Sequence, residues 1–230
     1  MFKSVDWTGT YFQGCNHDCV YCWTKFMPVP ISHTPKLKQT DEFQIIRGKT
    51  GVVFLQSAHD TFAACNPTSW ILAMIRWMKR QPDGLVFYLQ SQNLWRAQQF
   101  IPLLKEIQDK VIIGTTIQTH NEHLVKAISN SPSIYSRYQA MMRFGFQGFR
   151  LRLSLEPLFK FSLRKLRDMV FDINPEIVEV GLDNYAHRHK VDIPQPDRCD
   201  YKNLYKEMIE YGIKVFEKES IGKWRRTGKR

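Results

Sequence analysis

The sequence predicts an α/β fold, an open and partial (β/α)6 TIM-like barrel followed by a short C-terminal helix and a basic tail. Short runs rich in β-branched and aromatic residues alternate with helix-length segments, which is typical of parallel strands joined by crossover helices. Six such units fall short of the eight that close a full barrel, so an open barrel is favoured, with a flat doubly wound sheet as the alternative. A chain of 230 residues, 43% of them hydrophobic, can form one core.

The six predicted strands are short runs of apolar residues. In chain order they cover residues 11–13, 52–56, 85–90, 111–117, 149–155 and 177–182. The helix-length segments between them cover residues 67–79, 95–108, 133–144 and 162–171. Asn66 and Pro67 are typical of a helix start, and an apolar face with helical spacing follows them, formed by Trp70, Ile71, Met74, Ile75 and Met78.

The pattern changes after Asn184, and this change divides the chain into two predicted parts. Residues 1–184 hold the barrel. Residues 185–230 hold a proline-rich connector at 193–196, an amphipathic helix at 201–217 and the basic tail from 218 onwards.

The charge balance points to a polyanionic partner. Thirty-three Lys and Arg against 22 Asp and Glu give a net charge of +11, and such an excess suits nucleic acid because binding releases counterions from the phosphates. A merely basic, solvated surface is an equal alternative. The sequence has no apolar stretch long enough for a membrane span and no apolar signal segment near Met1, so we expect a cytoplasmic protein without a membrane partner.

Three of the five cysteines form a C-x3-C-x2-C motif at Cys15, Cys19 and Cys22. Thiolates so closely spaced can hold one corner of a four-iron cluster and leave the fourth iron open for a small molecule. Structural zinc is the alternative, but its usual sites need a second pair of ligands further on. Cys65 and Cys199 stand alone in the sequence, so the spacing favours the cluster.

The cysteine motif, with Tyr21 before its last cysteine, resembles the C-x3-C-x-aromatic-C motif of the radical S-adenosylmethionine (SAM) superfamily. Polar segments at the predicted strand ends, residues 57–62, 90–97, 114–117 and 154–158, look like the subgroup around spore photoproduct lyase. The resemblance spans most of the chain and implies a partial barrel of the radical SAM type.

This resemblance implies two cofactors and a reaction. Cys15, Cys19 and Cys22 would hold a [4Fe-4S] cluster, and its open iron would bind S-adenosyl-L-methionine (SAM). One electron from an external donor such as flavodoxin or ferredoxin would then split SAM and release a 5′-deoxyadenosyl radical. Many members place a Gly-Gly-Glu motif on the methionine amino group, whereas this chain has Ser57 and Asp60 in that region.

Side-chain alternation gives independent support for a polar barrel interior. In the strand at 149–155, Arg150, Arg152, Ser154 and Glu156 share one face, which favours a ligand-holding interior over a filled one. The alternative is a strand that faces water on one side. The full set of predicted cofactor-binding residues is Tyr21, Ser57, Asp60, Ser91, Thr116, Gln118, Arg152, Ser154, Glu156 and Asp183.

The resemblance suggests a nucleic acid substrate, DNA or RNA. Basic residues interleaved with aromatics at 187–190 and 223–226 agree, because such segments grip the backbone and stack bases. Cys65, Cys199 and Tyr185 are candidate catalytic residues for hydrogen or radical transfer, although each is also a common core residue. Two alternatives stay open: a radical SAM enzyme that modifies a protein or peptide, and a non-enzymatic, zinc-containing nucleic-acid-binding module.

Overall fold

The structure, a computed structural model, describes residues 5–28, 31–37 and 48–227, without the side chains of 223 and 225–227. Its strands are β1 (Trp7–Gly9), β2 (Phe12–Gln13), β3 (Lys36–Leu37), β4 (Gly51–Leu55), β5 (Leu85–Gln90), β6 (Val111–Thr116), β7 (Arg150–Leu155), β8 (Ile177–Val180) and β9 (Lys214–Glu217). Its helices are α1 (Thr68–Lys79), α2 (Leu94–Ala97), α3 (Ile101–Lys105), α4 (Glu122–Ile128), α5 (Ile134–Phe146), α6 (Leu163–Ile173), α7 (Arg198–Glu210) and α8 (Glu219–Thr227).

Seven strands pair in parallel in the order β1-β4-β5-β6-β7-β8-β9 and form a curled half-barrel. The order never reverses along the chain, so successive crossovers place their helices on the same face of the sheet. A doubly wound sheet reverses its order at a switch point, so that alternative was wrong. The predicted partial TIM-like barrel is confirmed.

The main core lies between the convex face of the sheet and these helices. Leu55, Phe87 and Ile113 point into it from adjacent strands, and Met74 and Phe144 meet them from α1 and α5. The opposite face holds a smaller apolar cluster of Phe54, Tyr88 and Ile112, which are neighbours in the strand register. The concave face is therefore only partly filled with apolar side chains, and this leaves room for the polar groups described below.

The first strand of the sheet differs from the prediction. β1 is Trp7–Gly9, whereas Phe12–Gln13, within the predicted strand at 11–13, pairs antiparallel with Lys36–Leu37 in a separate ribbon. β1 is an edge strand fixed by Asp6, whose backbone N–H donates to Val52 O (2.9 Å) and whose carboxylate accepts from Val52 N (2.7 Å). Three residues that include a glycine carry too weak an apolar pattern to be recognised as a strand.

The C-terminal part also differs. The predicted helix at 201–217 ends at Glu210, Gly212 follows with φ +88°, and the chain continues as β9 beside β8. A left-handed glycine ends a helix because a side chain is strained there. The described part of the predicted tail is Lys218 followed by helix α8, and the side chains of Lys223, Arg225, Arg226, Lys229 and Arg230 lie outside the described residues.

Two smaller differences concern helices. The segment predicted at 95–108 is divided into α2, a 3-10 turn and α3, which has a proline near its start. The short helix α4 was not predicted. Within the described residues, no helix is both long and apolar enough to cross a membrane.

Candidate active site

A cavity of about 1780 Å³ opens where the parallel strands end. Its walls come from the cysteine loop and from the segments that follow the carboxyl ends of β4 to β9. Barrel folds place their sites at this end of the strands. The volume exceeds the ~300–1,000 Å³ of an ordinary small-molecule site.

The cysteine loop is fixed at its start by a close backbone approach. Gly14 has φ +148°, and a Cβ there would lie 2.1 Å from Asn66 Oδ1. Asn66 Nδ2 donates to Gly14 O (3.3 Å) and to Asp60 O (2.8 Å), and Cys15 N donates to His33 O (3.1 Å). Only glycine permits this path, and it delivers the three thiols to the cavity wall.

All three cysteines of the motif line the cavity, and polar groups surround two of the sulfurs. The Cys22 sulfur lies 2.9 Å from Thr24 Oγ1, and the Cys19 sulfur lies 3.2 Å from Ser129 Oγ and accepts from Gln92 Nε2 at 3.6 Å. Hydrogen bonds to sulfur are typical of thiolates that hold a metal cluster, where they set its potential. The donor set therefore fits an iron–sulfur cluster.

Burial and hydrogen bonding shift the three thiols differently. Burial raises the pKa of the Cys15 and Cys19 thiols above their ordinary value. Burial also acts on Cys22, but hydrogen bonds from His33 and Thr24 outweigh it and lower the pKa of that thiol. In the described part of the chain, no group of three or more His, Cys, Asp or Glu side chains is placed to hold a single metal ion.

Asp60 connects the cysteine loop to the sheet. Its Oδ2 lies 3.0 Å from His17 Nε2 and accepts from Gln92 N (2.6 Å), while its Oδ1 accepts from Phe62 N (2.9 Å) and from the Ser91 hydroxyl. Burial would raise the pKa of this carboxyl, but the charge and hydrogen bond of His17 outweigh burial and lower it. Both oxygens thus accept from protein donors, and Asp60, which also lines the cavity, positions the cysteine loop.

Tyr21 and Gln118 belong to one buried network. The ring of Tyr21 lines the cavity and packs edge-on against Phe159, with ring centres 5.5 Å apart. Gln118 donates to the Tyr21 hydroxyl and accepts from Arg137 Nη1 at 3.0 Å. Gln118 is fully buried and does not line the cavity, so its connection to the site passes through Tyr21.

The opposite wall carries formal charges. Glu156 follows β7, and its Oε2 lies 3.7 Å from Lys218 Nζ, which also lies 3.9 Å from Glu179 Oε2. Burial raises the pKa of Glu156, and Lys218 opposes this shift. Asp183, three residues after β8 ends, lies 2.5 Å from His189.

Alternation along β7 predicted this wall correctly for two of four residues. Ser154 and Glu156 line the cavity, as do Ser57, Ser91 and Thr116 from the other strand ends. Arg152 is 4% exposed and lies over the Tyr88 ring at 5.3 Å, below the cavity rather than in its lining. Arg150 is the exposed first residue of the strand and pairs with Glu176 at 2.9 Å. The strand runs from the outer rim to the cavity, so only its last residues reach the site.

The three predicted catalytic candidates separate in the structure. Tyr185 lines the cavity and stacks on Phe26, with ring centres 5.0 Å apart. Cys65 is half-buried beside Asn66, Cys199 is exposed in the first turn of α7, and neither is among the residues that line the cavity.

Sequence reasoning missed several residues of the site. Glu179 had a visible signal, since an acidic residue in the apolar run of β8 is unusual for a buried strand. Lys218, Ser129 and Arg137 had none, because each is separated by many residues from the groups that it contacts.

Similarity to known proteins is structural. No protein-family model and no curated protein matches the sequence. A spore photoproduct lyase variant with bound AdoMet and dinucleoside spore photoproduct superposes with a TM-score of 0.68 over 94% of this chain and 77% of that chain, at 12% identity. The resemblance to spore photoproduct lyase that the sequence suggested is therefore confirmed at the level of the fold.

A second group of structures shares the fold. SuiB from Streptococcus suis, bound to its precursor peptide SuiA, superposes with a TM-score of 0.64 at 11% identity, over 92% of this chain and 48% of that chain. The chain thus spans about half the length of SuiB. One of the two folds carries a dinucleoside ligand and the other a peptide, so the shared fold alone leaves the substrate class open.

Proposed function

We propose that this chain is a radical SAM enzyme that acts on a nucleic acid base. The observation that carries the proposal is the convergence of Cys15, Cys19 and Cys22 with the polar strand ends on one large cavity of a half-barrel. Three thiolates leave one iron of a [4Fe-4S] cluster free to bind SAM. Bound together, the cluster and SAM supply a 5′-deoxyadenosyl radical after reduction by an external donor such as flavodoxin or ferredoxin.

The chain's own residues bind and orient SAM in this proposal. The Tyr21 ring would contact the adenine, and the Thr116 hydroxyl, which accepts from Gln90 Nε2 at 2.7 Å, would donate to a ribose hydroxyl. Ser57 would bind the methionine amino group, because four protein donors already engage the Asp60 carboxylate. Glu156 and Asp183 on the opposite wall bind the polar edge of the adenine or of the substrate.

Features of the outer wall support a nucleic acid substrate. Trp23 is 41% exposed and lines the cavity, and so do Tyr185, His187 and Lys190. Arg188 lies over the Tyr185 ring at 5.7 Å. Aromatic rings interleaved with cations can stack bases and hold phosphates, and the net charge of +11 favours the same partner.

The reaction is tested without a substrate. The protein is purified without oxygen, reconstituted with iron and sulfide and reduced with dithionite, and the formation of 5′-deoxyadenosine from SAM is measured. We expect Cys19→Ala to lose cluster absorbance and product, whereas Cys199→Ala, a change at an exposed cysteine, keeps both. A colourless zinc protein that forms no 5′-deoxyadenosine would overturn the proposal and favour a non-enzymatic binding module.

The substrate is tested with labelled candidates. Deuterated DNA and RNA oligonucleotides and unrelated peptides are incubated with the reconstituted enzyme, and deuterium in 5′-deoxyadenosine is measured by mass spectrometry. We expect transfer from an oligonucleotide, with binding that weakens in high salt and in Lys190→Glu but not in Lys202→Glu, a change at an exposed lysine of α7 outside the cavity lining. Transfer from a peptide alone would replace the nucleic acid proposal with peptide modification.

A further inference from the structure

Arg137 of α5 is a completely buried cation. Its side chain is 0% exposed, and its guanidinium donates to the backbone oxygens of Pro132 (2.9 Å) and Thr116 (2.8 Å), to Gln118 Oε1 (3.0 Å) and to the Ser131 hydroxyl. All four acceptors are uncharged. The guanidinium therefore has hydrogen-bond acceptors, but none of them carries a negative charge.

Within the described residues, no carboxylate lies within 4.0 Å of this guanidinium. The two carboxylates whose charge acts on it are engaged elsewhere: Glu122 accepts from the backbone of α5 at Ile134 and Tyr135, and Asp60 pairs with His17. Removing a charge from water without a partner costs several kcal/mol. The arrangement therefore calls for an anion close by.

A short chain of hydroxyls leads from Arg137 to the cysteine loop. The guanidinium donates to Ser131 Oγ, Ser129 Oγ lies 2.7 Å from Ser131 Oγ, and the Cys19 sulfur lies 3.2 Å from Ser129 Oγ. A second path runs through Gln118 to the hydroxyl of Tyr21. Both paths end in the loop that carries the three thiols.

We propose that Arg137 is the counter-charge of the iron–sulfur cluster, a positioning residue that stabilises the reduced cluster and raises its reduction potential. The inference rests on the proposed function, since it needs a cluster at Cys19. A cluster held by three thiolates is anionic and gains one further negative charge on reduction. A fixed cation in a buried site favours the more negative state, and low dielectric surroundings strengthen the effect.

Ser131 offers a matched pair of variants. Ser131→Asp places a carboxylate on the guanidinium and neutralises it, whereas Ser131→Asn introduces a side chain of the same shape without charge. In a redox titration of the reconstituted protein followed by electron paramagnetic resonance, we expect S131D to lower the midpoint potential relative to S131N. At the S131N midpoint, the ratio of reduced to oxidised cluster should fall roughly tenfold.

Variants of Arg137 separate charge from hydrogen bonding. Arg137→Met removes the charge and Arg137→Lys keeps it without the planar fork, so we expect a lowered potential in R137M and a potential near wild type in R137K. An equal decrease in both would show that the hydrogen bonds, not the charge, matter and would overturn the inference. If either variant fails to fold, an unchanged midpoint potential in S131D relative to S131N still overturns the inference.

The apo protein gives an independent readout. Without a cluster the guanidinium lacks its anion, so we expect S131D to melt at a higher temperature than S131N. Equal melting temperatures would mean that the charge is already compensated, which contradicts the inference. Failure of wild-type protein to assemble any cluster would overturn the proposed function itself, whereas a cluster whose potential is the same in S131D and S131N would overturn only the role of Arg137.

Discussion

The two walls of the cavity are built from different chemistry. On the thiol side, defined by the cysteine loop and the residues that contact it, short side chains such as Thr24, Ser91 and Ser129 hydrogen-bond to sulfur, to backbone or to Asp60. On the carboxylate side, defined by the ends of β7, β8 and β9 and the residues that follow them, Lys218 lies between the carboxylates of Glu156 and Glu179, and the Asp183 carboxylate lies 2.5 Å from His189 Nε2.

This difference separates a fixed wall from an adaptable one. Every oxygen of Asp60 is engaged at 3.0 Å or less, and its partners come from three separate segments of the chain. The Lys218 contacts, at 3.7 and 3.9 Å, are longer and belong to a flexible side chain. A cluster needs ligands that do not move, whereas SAM and a substrate must enter and leave.

The largest loss of stability is expected from a substitution at Asp60, on the thiol side. Asp60→Asn keeps the shape but turns an amide N–H₂ group toward donors that now contact a carboxylate, so we expect a loss of about 3–5 kcal/mol in the free energy of unfolding and poor cluster loading. Urea unfolding and iron content measure the two effects. If D60N unfolded at the same urea concentration as wild type, this carboxylate would not be what stabilises the thiol side.

A smaller effect is expected from crowding the carboxylate side at Gly181. A Cβ there would lie 2.7 Å from Glu156 Oε1, so Gly181→Ala must displace Glu156 at a cost of about 1–2 kcal/mol. Gly145→Ala is the matched control, because its Cβ meets only Leu151 at 3.2 Å. Thermal unfolding distinguishes the two variants, and equal melting temperatures would show that Glu156 moves aside freely.

The effect of Glu156 ionisation on folded stability can be tested by changing the pH. Burial raises the pKa of Glu156 above its ordinary value of 4.5, so ionising this residue costs folded stability as the pH rises. Glu156→Gln removes that cost, and we expect the variant to gain stability over wild type as the pH rises above 4.5 and to match it at lower pH. Urea unfolding across this range tests the sign, and a variant that is least stable at neutral pH would contradict it.

The smallest effect is expected from an ion pair outside both walls. Arg150 and Glu176 pair at 2.9 Å with more than 40% of each side chain exposed, so Glu176→Gln should cost about 0–1 kcal/mol and leave the cluster unchanged. The same urea unfolding series serves as the measurement. A loss as large as that expected for D60N would remove the distinction between buried and exposed pairs.

Some features were predictable because their signal is local. Apolar runs identified β4 to β8, and alternation placed Ser154 and Glu156 on the cavity wall. The same alternation was wrong for Arg150, because a face of a strand continues past the point where the cavity ends. β1 and β9 escaped prediction, since the first is three residues long and the second follows a helix terminated by Gly212.

The sequence by itself determined the class of fold and the three thiols, because strand periodicity and cysteine spacing are properties of neighbouring residues. Only the tertiary structure decided which groups surround those thiols. Ser129 lies 110 residues from Cys19 along the chain, and they meet because the fold brings the residue that follows α4 beside the cysteine loop. The proposed role of Arg137 depends on the tertiary structure in the same way, because only the folded chain places its guanidinium close to the Cys19 sulfur.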